Sequence, residues 1–99
     1  MKYEVIIARI AERTFRELNA RWRSSLKKAM RRHLERAPTQ ETKSRIKRLK
    51  GLRRPQYRLR VDEMRVFYDV DVSRNRVEVL GFAMKPEAGQ WLEEHEGPE

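Results

Sequence analysis

The sequence contains no cysteine, only two histidines and no long apolar run. Without thiols the chain can form neither disulfides nor thiolate metal sites, and two histidines are too few for an unaided histidine site. No run of about 18 apolar residues occurs, so no membrane-spanning helix is predicted. The N-terminal segment "MKYEVIIARIAER" is interrupted by charge and lacks the apolar stretch of a signal peptide. We therefore expect a cytoplasmic protein with no cofactor, no metal and no membrane association.

Acidic residues are also few, since 15 Asp and Glu stand against 24 Lys and Arg and the formal net charge is +9. A domain this positive is expected to meet polyanions. The basic residues concentrate between positions 43 and 60, where no acidic residue occurs: Lys43, Arg45, Lys47, Arg48, Lys50, Arg53, Arg54, Arg58 and Arg60. Such a run can be a solvated surface. Its functional interpretation is attraction of phosphate groups without sequence preference.

The 99 residues predict one domain over 1–99, with a single modest core. Hydrophobic residues make up 38% and charged residues 39%, but the apolar residues recur periodically, which argues against disorder. "KYEVIIARI" predicts a first strand. From Ala11 to Leu34 apolar residues recur every three or four positions, which predicts amphipathic helix. We expect a break near Asn19-Ala20 and two antiparallel helices, although the periodicity also permits one long helix.

The segment "PQYRLRVDEMRVFYDVD" (55–71) predicts two strands joined by a tight Asp62-Glu63 turn. This register places Val61 opposite Met64 and Arg60 opposite Arg65. One face then carries the apolar residues of both strands. The other face carries four residues: Arg58, Arg60, Arg65 and Phe67. Facing arginines cost stability, on the order of 0.2–1 kcal/mol a pair, so we expect an open, functional face from which either arginine can be replaced without loss of fold.

The remaining elements complete an α+β two-layer domain. "KSRIKRLKG" can add a short helical turn before Gly51, and "RVEVLGFAM" predicts a further strand. The loop length does not decide whether Leu80 and Phe82 or Val77 and Val79 face the core. A short helix "PEAGQWLEEH" closes the chain. The predicted fold is an N-terminal strand, a helical hairpin, three antiparallel strands and a C-terminal helix.

Arginine forks hold phosphates while aromatic rings stack on bases, so the arginine-bearing face predicts contact with single-stranded nucleic acid. A basic solvated surface is the alternative. The residues expected to bind nucleic acid around this face are Lys47, Arg48, Lys50, Arg53, Arg54 and Phe67. His33 falls on the apolar stripe of the second helix and is interpreted as a packed or boundary residue. Trp22 is core by its spacing, whereas Trp91 can lie in the core or at the sheet edge beside the arginines.

The order "RLKGL", "YRLRV", "RVFYDV" and a Val-rich strand ending in a basic residue resembles the RelE/ParE superfamily of bacterial type II toxin–antitoxin toxins. The resemblance covers nearly the whole chain. It implies a RelE/ParE-like toxin domain, held inactive by a cognate acidic antitoxin in a hetero-oligomer. RelE-like members cut mRNA on the ribosome without metal, and ParE-like members inhibit DNA gyrase. An RNA-binding module without chemistry is a third alternative.

The resemblance to RelE-like mRNA interferases also implies catalytic positions. Arg65 matches the arginine that opens the family's "R-h-h-Y" strand (h, apolar), and Lys85 stands where another arginine is usual. Trp91 replaces a tyrosine, and Arg58 and Arg60 replace lysines. Charge is kept at every basic position, which favours the endoribonuclease over the gyrase inhibitor. Because arginine stays protonated near neutrality, Lys85 is the candidate general base in this set.

Overall fold

One five-stranded sheet organises the chain, and the computed structural model describes residues 2–51 and 53–96. The strands are β1 (Glu4–Ile7), β2 (Ile46–Arg48), β3 (Tyr57–Val61), β4 (Met64–Asp71) and β5 (Arg76–Met84). The helices are α1 (Arg9–Glu17), α2 (Ala20–Ala29) with a π-helical turn (Met30–Leu34), and α3 (Ala88–His95) after a 3-10 turn (Lys85–Glu87). The strand order is β1-β5-β4-β3-β2, with β1 parallel to β5 and all other pairs antiparallel. The predicted α+β class is confirmed.

No helix in the described ranges has the length and hydrophobicity needed to cross a membrane.

The predicted break between the first two helices is confirmed. α1 ends at Glu17, and Leu18 has extended backbone. Asn19 is also extended, with φ −66° and ψ 163°, and its side-chain oxygen accepts a hydrogen bond from the Trp22 backbone N–H at 2.8 Å. Asparagine is among the residues most favoured at a helix N-cap because it satisfies such an orphan donor. The capping of α2 by Asn19 therefore separates the helices.

α1, α2 and the π-helical turn pack on one face of the sheet. The buried helix-side residues are Ala11, Phe15, Leu26, Met30 and Leu34, and the buried sheet residues of the same cluster are Ile46, Leu59, Val61, Met64, Val66, Tyr68, Val77, Val79 and Phe82. Tyr68 is fully buried and its hydroxyl donates to the Pro38 carbonyl at 2.7 Å, which satisfies the polar end of the ring. Trp22 is half-buried against this cluster, so the prediction that it is a core residue is only partly confirmed.

The prediction of a helical turn before Gly51 is wrong, because Ile46–Arg48 forms the edge strand β2. Ile46 pairs with Leu59 and is buried in the core, and this long-range packing outweighs the local helical preference. The Thr42 hydroxyl accepts hydrogen bonds from the backbone N–H groups of Arg45 and Ile46, at 2.9 and 3.2 Å. The sheet thus has one more strand than predicted.

A bulge in the β4–β5 pairing resolves the question of which β5 residues face the core. Phe67 pairs with Gly81, whereas the next residue, Tyr68, pairs with Val79, so Leu80 is the extra residue. An extra residue reverses the alternation of faces beyond it. Val77 and Val79 therefore face the core before the bulge and Phe82 faces it afterwards, so each of the two alternatives holds over part of the strand.

Candidate functional site

Four basic side chains lie on the sheet face opposite the core and form what we call the basic row: Lys47, Arg58, Arg60 and Arg65. The predicted hairpin register is confirmed, since Arg60 pairs with Arg65 and Val61 with Met64. Lys47 pairs with Arg58 across β2 and β3. The alternation of the strands thus concentrates the four cations, with no acidic partner opposite any of them in the described pairing.

The centre of the basic row is electrostatically unbalanced. Burial, then Arg65 and then Arg60, lower the pKa of the Arg58 guanidinium. The buried Nε of Arg58 has no hydrogen-bond partner within the part of the chain that the structure describes. A guanidinium nevertheless remains protonated in proteins. An anion placed over the basic row would therefore supply the negative charge that these cations lack.

Arg65 is less open than its place on this face predicts. It is only 5% exposed, and its Nη1 donates to the backbone carbonyls of Asp62 at 2.8 Å and Met64 at 3.2 Å. These bonds hold the turn between β3 and β4, in which Asp62 has a φ of 53°. The expectation that Arg65 is an open surface arginine is therefore wrong, and whether it can be replaced without loss of fold stays a prediction. Arg60, by contrast, is exposed.

The aromatic part of the predicted site is closed by α3. Trp91 stacks on Phe67 with 4.6 Å between ring centroids and an interplanar angle of 8°. His95 stacks on Trp91 at 4.3 Å and 11°. Phe67 is fully buried, so the expectation that it stacks on a nucleotide base is wrong for this arrangement. Trp91 lies neither in the core nor at the sheet edge; it covers the second face of the sheet.

Gly81 makes this stacking possible. A Cβ atom at position 81 would lie 2.0 Å from Cζ2 of Trp91, far inside van der Waals contact. The glycine opposite Phe67 in β5 thus opens the space into which the indole fits. The tight packing of one aromatic pair fixes the position of α3, which has no buried residue of its own.

Lys85 lies beside the turn that Arg65 holds. Its backbone N–H donates to the Glu63 carbonyl at 2.7 Å, directly after the Met64–Met84 pair. The side chain of Lys85 is exposed. The hairpin turn therefore brings the end of β5 next to the end of the basic row, as the proposed grouping of Lys85 with the arginines requires.

The flanking basic residues do not all join this site. Arg54 forms ion pairs with Asp69 at 2.9 Å and Glu78 at 3.3 Å. Arg48 shares the side of β2 on which Ile46 lies, and its Nη1 donates to the carbonyls of Leu49 at 3.0 Å and Gln56 at 2.7 Å. Both side chains therefore have structural partners, and their expected role as free phosphate contacts is not supported by these contacts. Lys50 and Arg53 are exposed in the loop between β2 and β3.

Three residues outside the predicted set belong to this surface. Arg45 lies at the sheet edge, where its carbonyl accepts from the Arg60 N–H at 2.8 Å and its guanidinium donates to the Arg60 carbonyl at 3.3 Å. His95 stacks on Trp91, and Gly81 leaves the space that the indole of Trp91 occupies. Alternation from Ile46 could have indicated Arg45 had β2 been recognised, whereas no local signal marks the other two. Among the residues described, no cluster of three or more His, Asp or Glu side chains is suited to hold a metal ion.

Several solved structures of toxin–antitoxin proteins have a fold similar to that of this chain. A chain of the RelBE2 complex from Mycobacterium tuberculosis is 20% identical, with a TM-score of 0.70 over 85% of this chain and 99% of that chain. A chain of the archaeal RelE–RelB complex from Pyrococcus horikoshii OT3 is 23% identical, with a TM-score of 0.68 over 86% and 97%. The isolated E. coli RelE toxin is 21% identical, with a TM-score of 0.68 over 91% and 98%. Neither a family model nor a curated sequence gives a significant match. The chain therefore has the fold of the RelE toxins.

Proposed function

We propose that this protein is the toxin of a type II toxin–antitoxin system, a metal-independent endoribonuclease that cleaves translated mRNA on the ribosome and so inhibits protein synthesis. The observation that carries the proposal is the basic row of Lys47, Arg58, Arg60 and Arg65, which lies next to Lys85 on a fold similar to that of RelE. Four cations without opposing carboxylates are costly on a sheet face unless a polyanion neutralises them.

In the proposed reaction the 2′-hydroxyl of a nucleotide attacks the adjacent phosphorus and the bond to the 5′-oxygen of the next nucleotide breaks. The products are a 2′,3′-cyclic phosphate and a 5′-hydroxyl, so one proton leaves the attacking oxygen and one reaches the leaving oxygen. Arg60 and Arg58 are assigned the stabilisation of the negative charge that develops on the phosphate oxygens. Lys85, the basic candidate that is not an arginine, is assigned the removal of the proton from the attacking 2′-hydroxyl.

Trp91 is assigned the contact with a nucleotide base, and the aromatic stack sets a condition on it. One face of the indole is covered by Phe67 and the other by His95. A base can stack on Trp91 only where His95 now lies, because Phe67 is fixed in the sheet. His95 is exposed and sits near the end of α3, where its displacement disturbs little packing. Substrate binding thus includes the exchange of an imidazole for a base.

The proposed partner that controls this activity is an acidic antitoxin. Net charge +9 and two edge strands, β1 and β2, offer it electrostatic attraction and backbone groups for strand addition. A segment disordered when free would fold as a helix or strand over the basic row. Binding should weaken with salt, and calorimetry that finds tight, salt-independent binding would contradict an electrostatic contribution.

The test is to map mRNA 5′ ends after brief expression, with Arg60→Ala as the control variant because Arg60 is exposed and its loss leaves the turn intact. New 5′ ends within translated regions, absent from the control, support the ribonuclease. If no new ends appear, a DNA supercoiling assay decides whether the chain acts on gyrase instead. Inhibited supercoiling together with intact mRNA would refute the proposed function.

A further inference from the structure

A second basic surface lies on the helix layer, on the other side of the sheet from the basic row. A groove of about 630 Å³ is lined there by Lys2, Lys28, Arg31, Arg32, His33, Glu35 and Arg36. Five of these side chains are cations and one is a carboxylate. Glu35 is 3.9 Å from Lys2, and within the described residues no carboxylate pairs with Lys28, Arg31, Arg32 or Arg36. The groove therefore presents cations that no acidic group of the described chain neutralises.

The local backbone shapes this groove. No acidic residue occurs between Glu17 and Glu35, so α2 and the following π-helical turn carry only positive charge on their exposed side. The π-helical turn from Met30 to Leu34 is wider than an α-helical turn, and such turns are rare and often found at functional sites. Met30 and Leu34 are buried in the core, which leaves Arg31 and Arg32 exposed.

The field in this region also acts on His33. Burial, then Arg45 and then Arg32, lower the pKa of His33. A neighbouring cavity of about 300 Å³ is lined by residues that include Arg32, His33 and Arg45. Arg45 is also bonded to Arg60, the exposed end of the basic row. Positive side chains thus continue from the groove around the sheet edge to the proposed site.

The chemistry of the lining selects the kind of partner. Cores of protein interfaces are depleted in lysine and enriched in aromatic residues, methionine and arginine; this groove has arginines, but it contains no apolar or aromatic lining residue beyond the imidazole of His33. Single-stranded nucleic acid is held by aromatic stacking, which is also absent. Contacts to phosphate alone suit a duplex, whose bases are turned inward.

We propose that the groove formed by Lys28, Arg31, Arg32, Arg36 and Lys2 binds the phosphate backbone of double-helical RNA, separately from the single strand at the basic row. That the duplex is RNA rests on the proposed function. The binding itself does not, since it requires no cleavage. The two surfaces would let the protein hold folded RNA with its helix layer while the opposite sheet face engages a substrate strand.

The test is to titrate a blunt RNA duplex of about 16 base pairs, the span that duplex-RNA modules cover, with the full chain at several salt concentrations. The variant Lys28→Gln/Arg31→Gln/Arg32→Gln is compared with Arg9→Gln/Arg13→Gln/Arg16→Gln, which removes three charges from the exposed side of α1. Each lost phosphate contact should reduce the slope of log affinity against log salt by about one. We expect a reduction of about three for the groove variant and a smaller one for the control.

Equal reductions in the two variants would overturn the proposal, because net charge alone would then explain binding. The same holds if the groove variant loses affinity for polyglutamate but not for the duplex, which would assign the groove to an acidic protein. A DNA duplex of the same sequence that binds more tightly would overturn the choice of RNA. Duplex binding lost only in the groove variant, in a chain that cuts no mRNA, would support the groove while the proposed function fails.

Discussion

Replacement of Arg65 by alanine should destabilise the fold, whereas replacement of Arg60 should leave its stability nearly unchanged, although the two residues face each other across the same strand pair. Arg65 is 5% exposed and its Nη1 donates to two backbone carbonyls, at 2.8 and 3.2 Å. A hydrogen bond with a charged partner contributes about 1.5–3 kcal/mol. Removal of a facing like charge raises the free energy of unfolding by about 0.2–1 kcal/mol. Because the second bond is long, we expect Arg65→Ala to lower the free energy of unfolding by about 1–3 kcal/mol.

For a domain of this size such a loss lowers Tm by about 5–20 °C. Arg60 is exposed, and surface substitutions usually change stability by less than about 0.5 kcal/mol. Arg60→Ala should therefore melt within about 3 °C of the natural chain, and slightly above it where the relief of repulsion dominates. Circular dichroism during heating measures both variants under identical conditions.

Arg65→Lys separates the two contributions at this position. It keeps the positive charge, and hence the repulsion with Arg60, but a lysine ammonium cannot reproduce the planar donor geometry of the guanidinium. We expect Arg65→Lys to melt well below the natural chain as well. If Arg65→Ala melts at the natural temperature, the bonds to the turn contribute nothing to stability and Arg65 is the freely replaceable surface residue that sequence alone suggests.

Four further predictions concern the aromatic stack, a histidine and the proposed chemistry. Gly81→Ala should displace α3, because the added Cβ would overlap the indole of Trp91. In a variant with Trp91 as the only tryptophan, the indole should then become accessible to a fluorescence quencher. Unchanged quenching would contradict the packing. His95→Ala should strengthen binding of a non-cleavable single-stranded RNA by freeing one face of Trp91, and weaker binding would show that the imidazole itself contacts RNA. Burial and neighbouring arginines lower the pKa of His33 in the folded chain. As pH drops below about 6.5 the unfolded chain therefore takes up a proton on His33 before the folded chain does, and the free energy of unfolding should fall. His33→Gln should abolish this pH dependence in urea melts. Lys85→Arg should keep RNA binding but slow single-turnover cleavage by about 10²–10⁴-fold; an unchanged rate would leave catalysis to electrostatic stabilisation alone.

The β3–β4 hairpin is the part of the fold that sequence predicts best. Strict alternation on both sides of Asp62-Glu63 permits one register, because a slip by one residue would move every apolar side chain to the other face. The same reasoning fails in β5, where residues of both parities are apolar. The bulge at Leu80 changes the parity within the strand, and its position depends on the pairing of Phe67 with Gly81, which no local pattern encodes.

The strand β2 and the position of the correctly predicted helix α3 are not predicted by the sequence, for related reasons. β2 has three residues, too few for a periodic signal, and becomes a strand because Ile46 packs opposite Leu59, which is 13 positions later. The position of α3 depends on a gap left by one glycine under one tryptophan. Sequence places Arg58, Arg60 and Arg65 correctly on one face but gives no measure of their burial, and therefore treats Arg65 and Arg60 as equivalent.

The two basic surfaces carry different costs, and this difference bears on why the chain retains them. In the groove on the helix layer the cations are exposed, so water screens their repulsion and the fold loses little by keeping them there. In the basic row Arg58 is half-buried with an unpaired Nε, and Arg65 is buried, so solvent relieves little of the repulsion. A protein selected for stability alone would keep Arg65, whose bonds hold the turn, but would replace Arg58. A ligand that binds only the folded chain returns stability by mass action, by about 2.7 kcal/mol at a concentration 100 times its Kd. The basic row is therefore the place where the bound anion and the fold stabilise each other, and the strain it holds without an anion is the physical reason to regard it as the proposed site of chemistry and the groove as a surface for attachment.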